Sequence, residues 1–188
     1  MITIVYAHPN TDSFNHSILN SITSMLTDEG KDYNVIDLYA DGFNPVLSHK
    51  DLQMAQHGKT DDPLVMRYQK MLRDTTDSMI FIFPIWWGMM PAMIKGFIDK
   101  VFMKGIIYDF APEGIMLPML SISPTTIITT SQEDTAELEA FFNNVFIPQV
   151  LNTVGINNVH WYNCDNTSTS SREHRQAFVD NILKQLAK

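Results

Sequence analysis

Apolar positions along this chain follow two repeating patterns. Short apolar or β-branched runs at Ile2–Ala7, Asn34–Leu38, Met79–Phe83, Thr126–Thr130 and Asn158–Tyr162 read as strands, the first and third continuous enough to be buried on both faces. Between and after them, apolar residues recur at helical spacing. Ile18, Leu19, Ile22, Met25 and Leu26 share one stripe over residues 15–29, which Gly30 closes. Leu64, Val65, Tyr68, Met71 and Leu72 share a second, with Pro63 suited to its first position. Pro91 opens a third carrying Met93, Ile94, Phe97, Ile98 and Val101. A fourth helix carries Leu138, Phe141, Phe142, Val145 and Phe146, and Phe178, Val179, Ile182 and Leu186 mark the last. Residues 41–62 are polar, punctuated by Gly42, Pro45 and Gly58, and read as irregular.

Strands alternating with helices of this length imply parallel βαβ units with right-handed crossovers. The expected architecture is α/β: a five-stranded, doubly wound parallel sheet of order 2-1-3-4-5 between two helical layers, with residues 1–188 as one domain. Sheets of this kind bind ligands beyond the carboxyl ends of their strands, where strand order reverses. That directs attention to residues 8–15, 84–91 and 131–136.

Composition narrows what could bind there. With 45% hydrophobic and 18% charged residues the chain reads as a soluble globular protein. A net charge of −8 argues against a nucleic-acid groove or an anionic membrane surface. No apolar run approaches the roughly 20 residues of a membrane span, and Met1 leads into Ile2–Ala7 without the basic flank of a signal peptide. The lone Cys164 forms no internal disulfide, which suits a reducing cytoplasm, and no histidine motif surrounds it to suggest a nucleophile. The six histidines show no metal-ligand spacing, so no metal is expected.

The loop after the first strand, His8-Pro9-Asn10-Thr11-Asp12-Ser13-Phe14-Asn15, contains no glycine. It could still hold a phosphate: Asp12, Ser13 and Asn15 are N-cap types, the helix behind them presents unpaired N–H groups, and His8 adds a donor. The same residues also suffice for a plain cap. The loop after the third strand, Pro84-Ile85-Trp86-Trp87-Gly88-Met89-Met90-Pro91, sets two tryptophans at the mouth of the sheet, which suits a flat ring or a packed interface. Thr129, Thr130, Ser131 and Gln132 supply hydroxyls and an amide as a third wall, unless Ser131 merely caps toward Asp134. Together the three loops describe a flavin site. A phosphoacceptor receiver needs an acidic pair after the first strand and an aspartate ending the third, where His8-Pro9 and Pro84 stand. A Rossmann loop needs Gly-x-Gly-x-x-Gly, which is absent.

The stretches 7–15 (AHPNTDSFN), 37–52, 83–102 (FPIWWGMMPAMIKGFIDKVF), 105–110 (GIIYDF) and 127–130 (IITT) resemble the flavodoxin-like NAD(P)H:quinone oxidoreductases, over nearly the whole chain. The resemblance implies a non-covalent flavin, FMN or FAD, in a homodimer that passes hydride from NAD(P)H to a quinone-like acceptor. It implies that His8, Asp12, Ser13, Phe14 and Asn15 form the phosphate segment. Pro84, Ile85, Trp86, Trp87 and Gly88 would run along the ring, with Thr129, Thr130 and Ser131 opposite. Arg175 falls near the far end of the cofactor, and Trp86, Tyr108 and Phe110 shape the substrate pocket, the last two as the partner subunit's contribution. No catalytic acid or base is implied beyond the flavin. Two departures stand out: Ser131-Gln132 replaces the usual glycine pair, and residues 131–147 lack the tyrosine and histidine of the DT-diaphorase type. The expected activity is therefore a cytoplasmic ping-pong NAD(P)H oxidoreductase. The rivals are a flavodoxin-type electron carrier and a regulatory flavoprotein subunit of a membrane transporter.

Overall fold

The computed structural model describes residues 1–187, so the last residue of the domain expected over 1–188 lies outside them. Five parallel strands form the sheet: β1 (Ile2–Tyr6), β2 (Tyr33–Asp37), β3 (Ser78–Pro84), β6 (Thr125–Thr130) and β7 (Val159–Cys164), in the order β2-β1-β3-β6-β7. Between β3 and β6 a small antiparallel hairpin, β4 (Tyr108–Phe110) and β5 (Met116–Pro118), stands apart from that sheet. With the hairpin set aside, the order is the expected 2-1-3-4-5. The hairpin itself was not legible, because three-residue strands carry too few alternations to register.

The period of two along each strand sorts the core into two faces. Val5, Ala7, Phe81, Phe83 and Ile127 point toward α3 (Pro63–Asp74), α4 (Ala92–Val101) and α5 (Thr135–Phe141). Ile4, Tyr6, Ile80, Ile82 and Ile128 point toward α1 (Phe14–Asp28) and α6 (Arg172–Leu186). Each helix buries the stripe its sequence shows. In α4, for example, Ile94, Phe97 and Val101 are fully buried. The stretch after α5 departs from α geometry: Phe142–Leu151 winds as a π-helix with Pro148 inside it. A proline has no N–H to donate and breaks regular α winding.

The segment read as irregular, 41–62, holds a short helix α2 (His49–Ala55). Ser48 and Asp51 close a reciprocal capping box at its start, yet no residue of it is buried, so it left no apolar stripe in the sequence. The segment is held down from below. The Lys100 ammonium, buried under it, donates to Asp62 Oδ2 at 2.8 Å and to the Asn44 carbonyl at 3.1 Å. Gly96 faces it from α4, where an added Cβ would stand 2.3 Å from Pro45. Burial pushes the Asp62 carboxyl up, but the Lys100 hydrogen bond and charge, with the N–H groups of Val65 and Leu64, outweigh it and hold the group below 3.8.

Cys164 ends β7 and is buried, and burial pushes its thiol up to about 11 from 9.0. The folded chain keeps this proton over a range where the unfolded chain loses it. The contribution to stability is therefore complete below pH 9.0 and lost as pH rises toward about 11. Native protein at pH 8 should leave Cys164 unalkylated by iodoacetamide, with reaction appearing only on addition of denaturant, as mass spectrometry would read. Replacing Lys100 with methionine should cost about 3 kcal/mol in urea unfolding, because Asp62 is left charged and largely buried without its cation, with only the Leu64 and Val65 N–H groups beside it.

Candidate functional site

In the order β2-β1-β3 the chain reverses direction across the sheet between β1 and β3, so the loops leaving their carboxyl ends part to opposite faces. A cleft of ≈250 Å³ opens there, lined by His8, Ser13, Phe14, Asn15, Pro84, Ile85, Trp86, Thr130, Ser131, Gln132 and Thr167. Three loops distant in sequence meet in it, and their backbone hydrogen bonds determine which polar groups remain available.

The first wall is the start of α1. Ser13 is its N-cap, its hydroxyl accepting from His16 N at 3.1 Å, while Ser13 N donates to the Asn10 carbonyl. That leaves the N–H groups of Phe14 and Asn15 without an acceptor among the described residues. No acidic residue occupies the first turn of the helix, and Asp12 lies outside it, exposed. The site is open to an anion through backbone N–H groups and the positive helix end. The Asn15 side chain is only 3% exposed. It donates to Thr130 Oγ1 at 2.7 Å and so ties the first wall to the third.

His8 stands between the first wall and the second. Its Nδ1 accepts from Asn10 N at 3.1 Å, and its ring lies edge-on to Trp86 with centroids 5.9 Å apart. Nδ1 also lies 3.2 Å from the Asn10 carbonyl; burial lowers the ring's pKa below 6.5, against the raising effect of that carbonyl, so at neutral pH the ring is uncharged.

The second wall is a two-residue turn. Trp86 and Met89 exchange backbone hydrogen bonds at 2.9 and 3.1 Å, and Trp87 (φ 55°) and Gly88 (φ 67°) occupy its centre. Positive φ at both central residues defines a type I′ turn. Glycine takes that conformation freely, whereas a tryptophan held there stores about 1 kcal/mol or more of strain. The turn separates the tryptophan pair: Trp86 lines the cleft at 41% exposed, and Trp87 stands outside it at 98%. The N–H groups of Trp87 and Gly88 have no acceptor among the described residues.

The third wall combines the loop after β6 with the one after β7. Ser131 N donates to the Cys164 carbonyl, and the Ser131 carbonyl accepts from Thr167 N and Oγ1. The Ser131 hydroxyl donates to the Glu133 carbonyl at 2.7 Å, so it does not cap toward Asp134; α5 starts without a side-chain cap. Thr130 accepts from Asn15, and its own proton reaches no acceptor among the described residues, which leaves a donor on the cleft wall. Thr129 is fully buried and turned into the sheet, its hydroxyl donating to Asn163 Oδ1 at 2.8 Å.

Among the residues singled out from sequence, the cleft thus gathers His8, Ser13, Phe14, Asn15, Pro84, Ile85, Trp86, Thr130, Ser131 and Gln132, and adds Thr167. Asp12, Trp87, Gly88 and Thr129 are not among its lining residues. Arg175 is set behind Phe14, its guanidinium 5.9 Å from that ring and its Nη1 donating to the Thr167 carbonyl at 3.4 Å. Tyr108 and Phe110 stand edge to face on β4, with ring centroids 5.6 Å apart. Tyr108 borders a different cavity of ≈270 Å³ with Leu47, Leu52, Phe102 and Met103, away from the cleft of this chain. Thr167 had no local signal: it reaches the cleft through its bonds to Ser131.

Known proteins share this arrangement. A family profile described as the flavodoxin-like fold matches residues 1–188. An NAD(P)H oxidoreductase of Haemophilus influenzae is 29% identical over 164 residues, 84% of this chain and 80% of that one. The structure of an NAD(P)H:quinone oxidoreductase from Methanothermobacter marburgensis superposes with a TM-score of 0.85 at 25% identity, covering 97% of this chain and 95% of that one. An FMN-dependent NADH-azoreductase from Bacillus anthracis, solved in complex with FMN, shares the fold with a TM-score of 0.74 at 13% identity, covering 100% of this chain and 99% of that one. This chain belongs to the flavodoxin-like fold family, alongside relatives that are NAD(P)H oxidoreductases and quinone reductases.

Proposed function

We propose that this chain is a cytoplasmic, flavin-dependent NAD(P)H oxidoreductase that takes hydride from NAD(P)H and passes it to a quinone-like acceptor by a ping-pong route, with residues 1–188 forming one flavin-binding domain. The observation that carries the reading is the convergence, in one cleft, of unpaired Phe14 and Asn15 N–H groups with the Trp86 shelf. The donor set suits FMN or the flavin half of FAD. The start of α1 offers neutral N–H donors and helix polarity to a phosphate, with uncharged His8 beside it. Trp86 offers a flat apolar surface, and the Thr130 hydroxyl and the turn N–H groups of Trp87 and Gly88 offer donors to the oxygens and nitrogens of a ring edge. Bound there, a flavin supplies two-electron hydride chemistry that no side chain of the cleft provides.

The size of the cleft supports the kinetic order. At ≈250 Å³ it is smaller than the roughly 300–1,000 Å³ that enclose a drug-sized ligand. A ring seated in it keeps one face outside, and that single open face must serve donor and acceptor in turn. It also leaves a role for a second copy of the chain. Tyr108 and Phe110 cannot reach the cleft of their own chain, whereas the exposed Trp87, Met89, Phe110, Ile115 and Leu117 form apolar surface for an interface. In such a homodimer the partner's Tyr108 and Phe110 complete the substrate pocket over the open face. The Arg175 guanidinium, held among the described residues by the Thr167 carbonyl and the Phe14 ring, remains available to the distal part of the cofactor.

Purified protein should be yellow, releasing FMN or FAD on heating as identified by mass, and anaerobic NADH or NADPH should bleach it within the turnover time. A flavoprotein that neither nicotinamide bleaches is an electron carrier, and one that binds native membranes without turning over quinone is a transporter subunit. Trp86→Ala should lower flavin retention about tenfold or more, in line with the loss of an aromatic stacking surface. Trp87→Ala should instead shift sedimentation from dimer toward monomer.

A further inference from the structure

Beneath the third wall runs a hydrogen-bonded relay to which the cofactor reading assigns no role. Trp161 Nε1–H donates to Thr129 Oγ1 at 2.9 Å, and the Thr129 hydroxyl donates to Asn163 Oδ1 at 2.8 Å. Asn163 Nδ2 then donates twice, to Ser131 Oγ at 2.9 Å and to Thr135 Oγ1 at 3.1 Å. Those hydroxyls spend their own protons on the Glu133 carbonyl, at 2.7 Å, and on Asp165 Oδ2, at 2.9 Å. Every donor points the same way, from the core toward the loop. Asn163 is the branch point, accepting once and donating twice. Only a neutral amide of this length does both: aspartate has no N–H to give, and leucine neither gives nor accepts.

The relay is anchored at its start and at its branch point. At its start, Trp161 stacks on Phe142 with centroids 4.1 Å apart and planes 12° from parallel. Asn163 lies within β7, paired in register with Thr129 of β6, so the ladder fixes its backbone. The other straps across this wall engage the irregular loop after β7: Thr167 to the Ser131 carbonyl, Ser168 Oγ to Gln132 Oε1 at 2.6 Å, Asn166 Nδ2 to Asp134 Oδ1 at 3.2 Å, and Thr135 Oγ1 to Asp165 Oδ2.

We propose that Asn163 is a positioning residue for the flavin site: by holding Ser131 and Thr135 onto β7 it sets the 131–135 loop as the polar third wall, without touching the ligand. This rests on the flavin reading of the cleft. The two Nδ2 bonds reach the loop at both ends, one at a residue that lines the cleft and one at the first turn of α5. Without them Ser131 keeps its backbone bonds to Cys164 and Thr167, and Gln132, Asp134 and Thr135 keep their side-chain bonds to Ser168, Asn166 and Asp165 in the loop after β7, but no side chain of the sheet itself then holds residues 131–135. The wall can then spread away from Trp86, and a bound ring is held less closely at its polar edge.

The test titrates cofactor-stripped protein with FMN and FAD, following fluorescence quenching and the visible absorption band of the bound ring. It compares wild type, Asn163→Leu, Asn163→Asp, Ser131→Ala and the double variant Asn163→Leu with Ser131→Ala. Both Asn163 variants should bind flavin about tenfold more weakly, the scale of the two Nδ2 hydrogen bonds that both lose. The absorption band of the ring they retain should move, which a loss of fold stability alone does not produce. The double variant should bind no more weakly than Asn163→Leu, because both changes break the same connection. If Asn163→Leu does not fold, Asn163→Asp, which keeps the Thr129 bond, carries the comparison. Variants that match wild type in affinity and spectrum, or losses that simply add, overturn the proposal and leave the flavin reading standing. Wild-type protein that binds neither FMN nor FAD overturns both.

Discussion

The site depends on one constraint, the parallel pairing of β1 with β3 next to the reversal of strand order. β1 is paired on one side with β2 and on the other with β3, both in parallel register. The chain leaving β1 turns onto one face of the sheet as α1, and the chain leaving β3 crosses to the other face as α4. Two right-handed crossovers departing in opposite directions cannot fill the space between their first turns. The gap is a by-product of the topology, and its walls are necessarily loop backbone and a helix start. Such walls carry N–H groups that the secondary structure has not consumed. Without this reversal, the same three loops would have no common space to face.

What the loops do with those groups follows from backbone accounting. A buried or partly buried N–H must find a partner or keep one for a ligand. On the third wall the donors of Ser131, Thr135 and Thr167 are spent internally, and the Thr130 hydroxyl is left over. Burial pushes the Asp165 carboxyl up, but the hydroxyl and N–H of Thr135, with Asn166, more than offset this and keep it below 3.8. It therefore stays charged and holds the start of α5. On the first wall and at the Trp86–Met89 turn, donors are left over. The cleft thus has one internally braced side, with the Thr130 hydroxyl left free on it, and two sides with unspent backbone N–H groups, an asymmetry suited to orienting a planar ring with an anionic tail.

The sheet was legible in the sequence because each strand carries a short run with both faces apolar, and each long helix a stripe. Val5 and Ile4 are neighbours facing opposite layers, and both had to be apolar. The helix α2 and the hairpin β4–β5 were not legible, since neither buries enough surface to leave a pattern. At the site, Ser13, Asn15 and Trp86 could be placed from residue type and loop position alone. The separation of Trp86 from Trp87 could not: it follows from positive φ at 87 and 88, a choice that adjacent identical residues do not reveal. Thr129 and Thr130 were read as a pair for the same reason, although the strand alternation sends one into the sheet and the other to the cleft. Asn163 and Thr167 acquire their roles through contacts 28 to 36 residues distant in sequence.

The central claim is that the start of α1 holds the phosphate of a flavin whose ring lies against Trp86. A crystal structure of the protein grown with FMN measures this directly. The account predicts phosphate oxygens within about 3 Å of the Phe14 and Asn15 amide nitrogens and the isoalloxazine plane packed on the Trp86 side of the cleft. A flavin bound elsewhere, or a phosphate that leaves those two amides uncontacted, would contradict it.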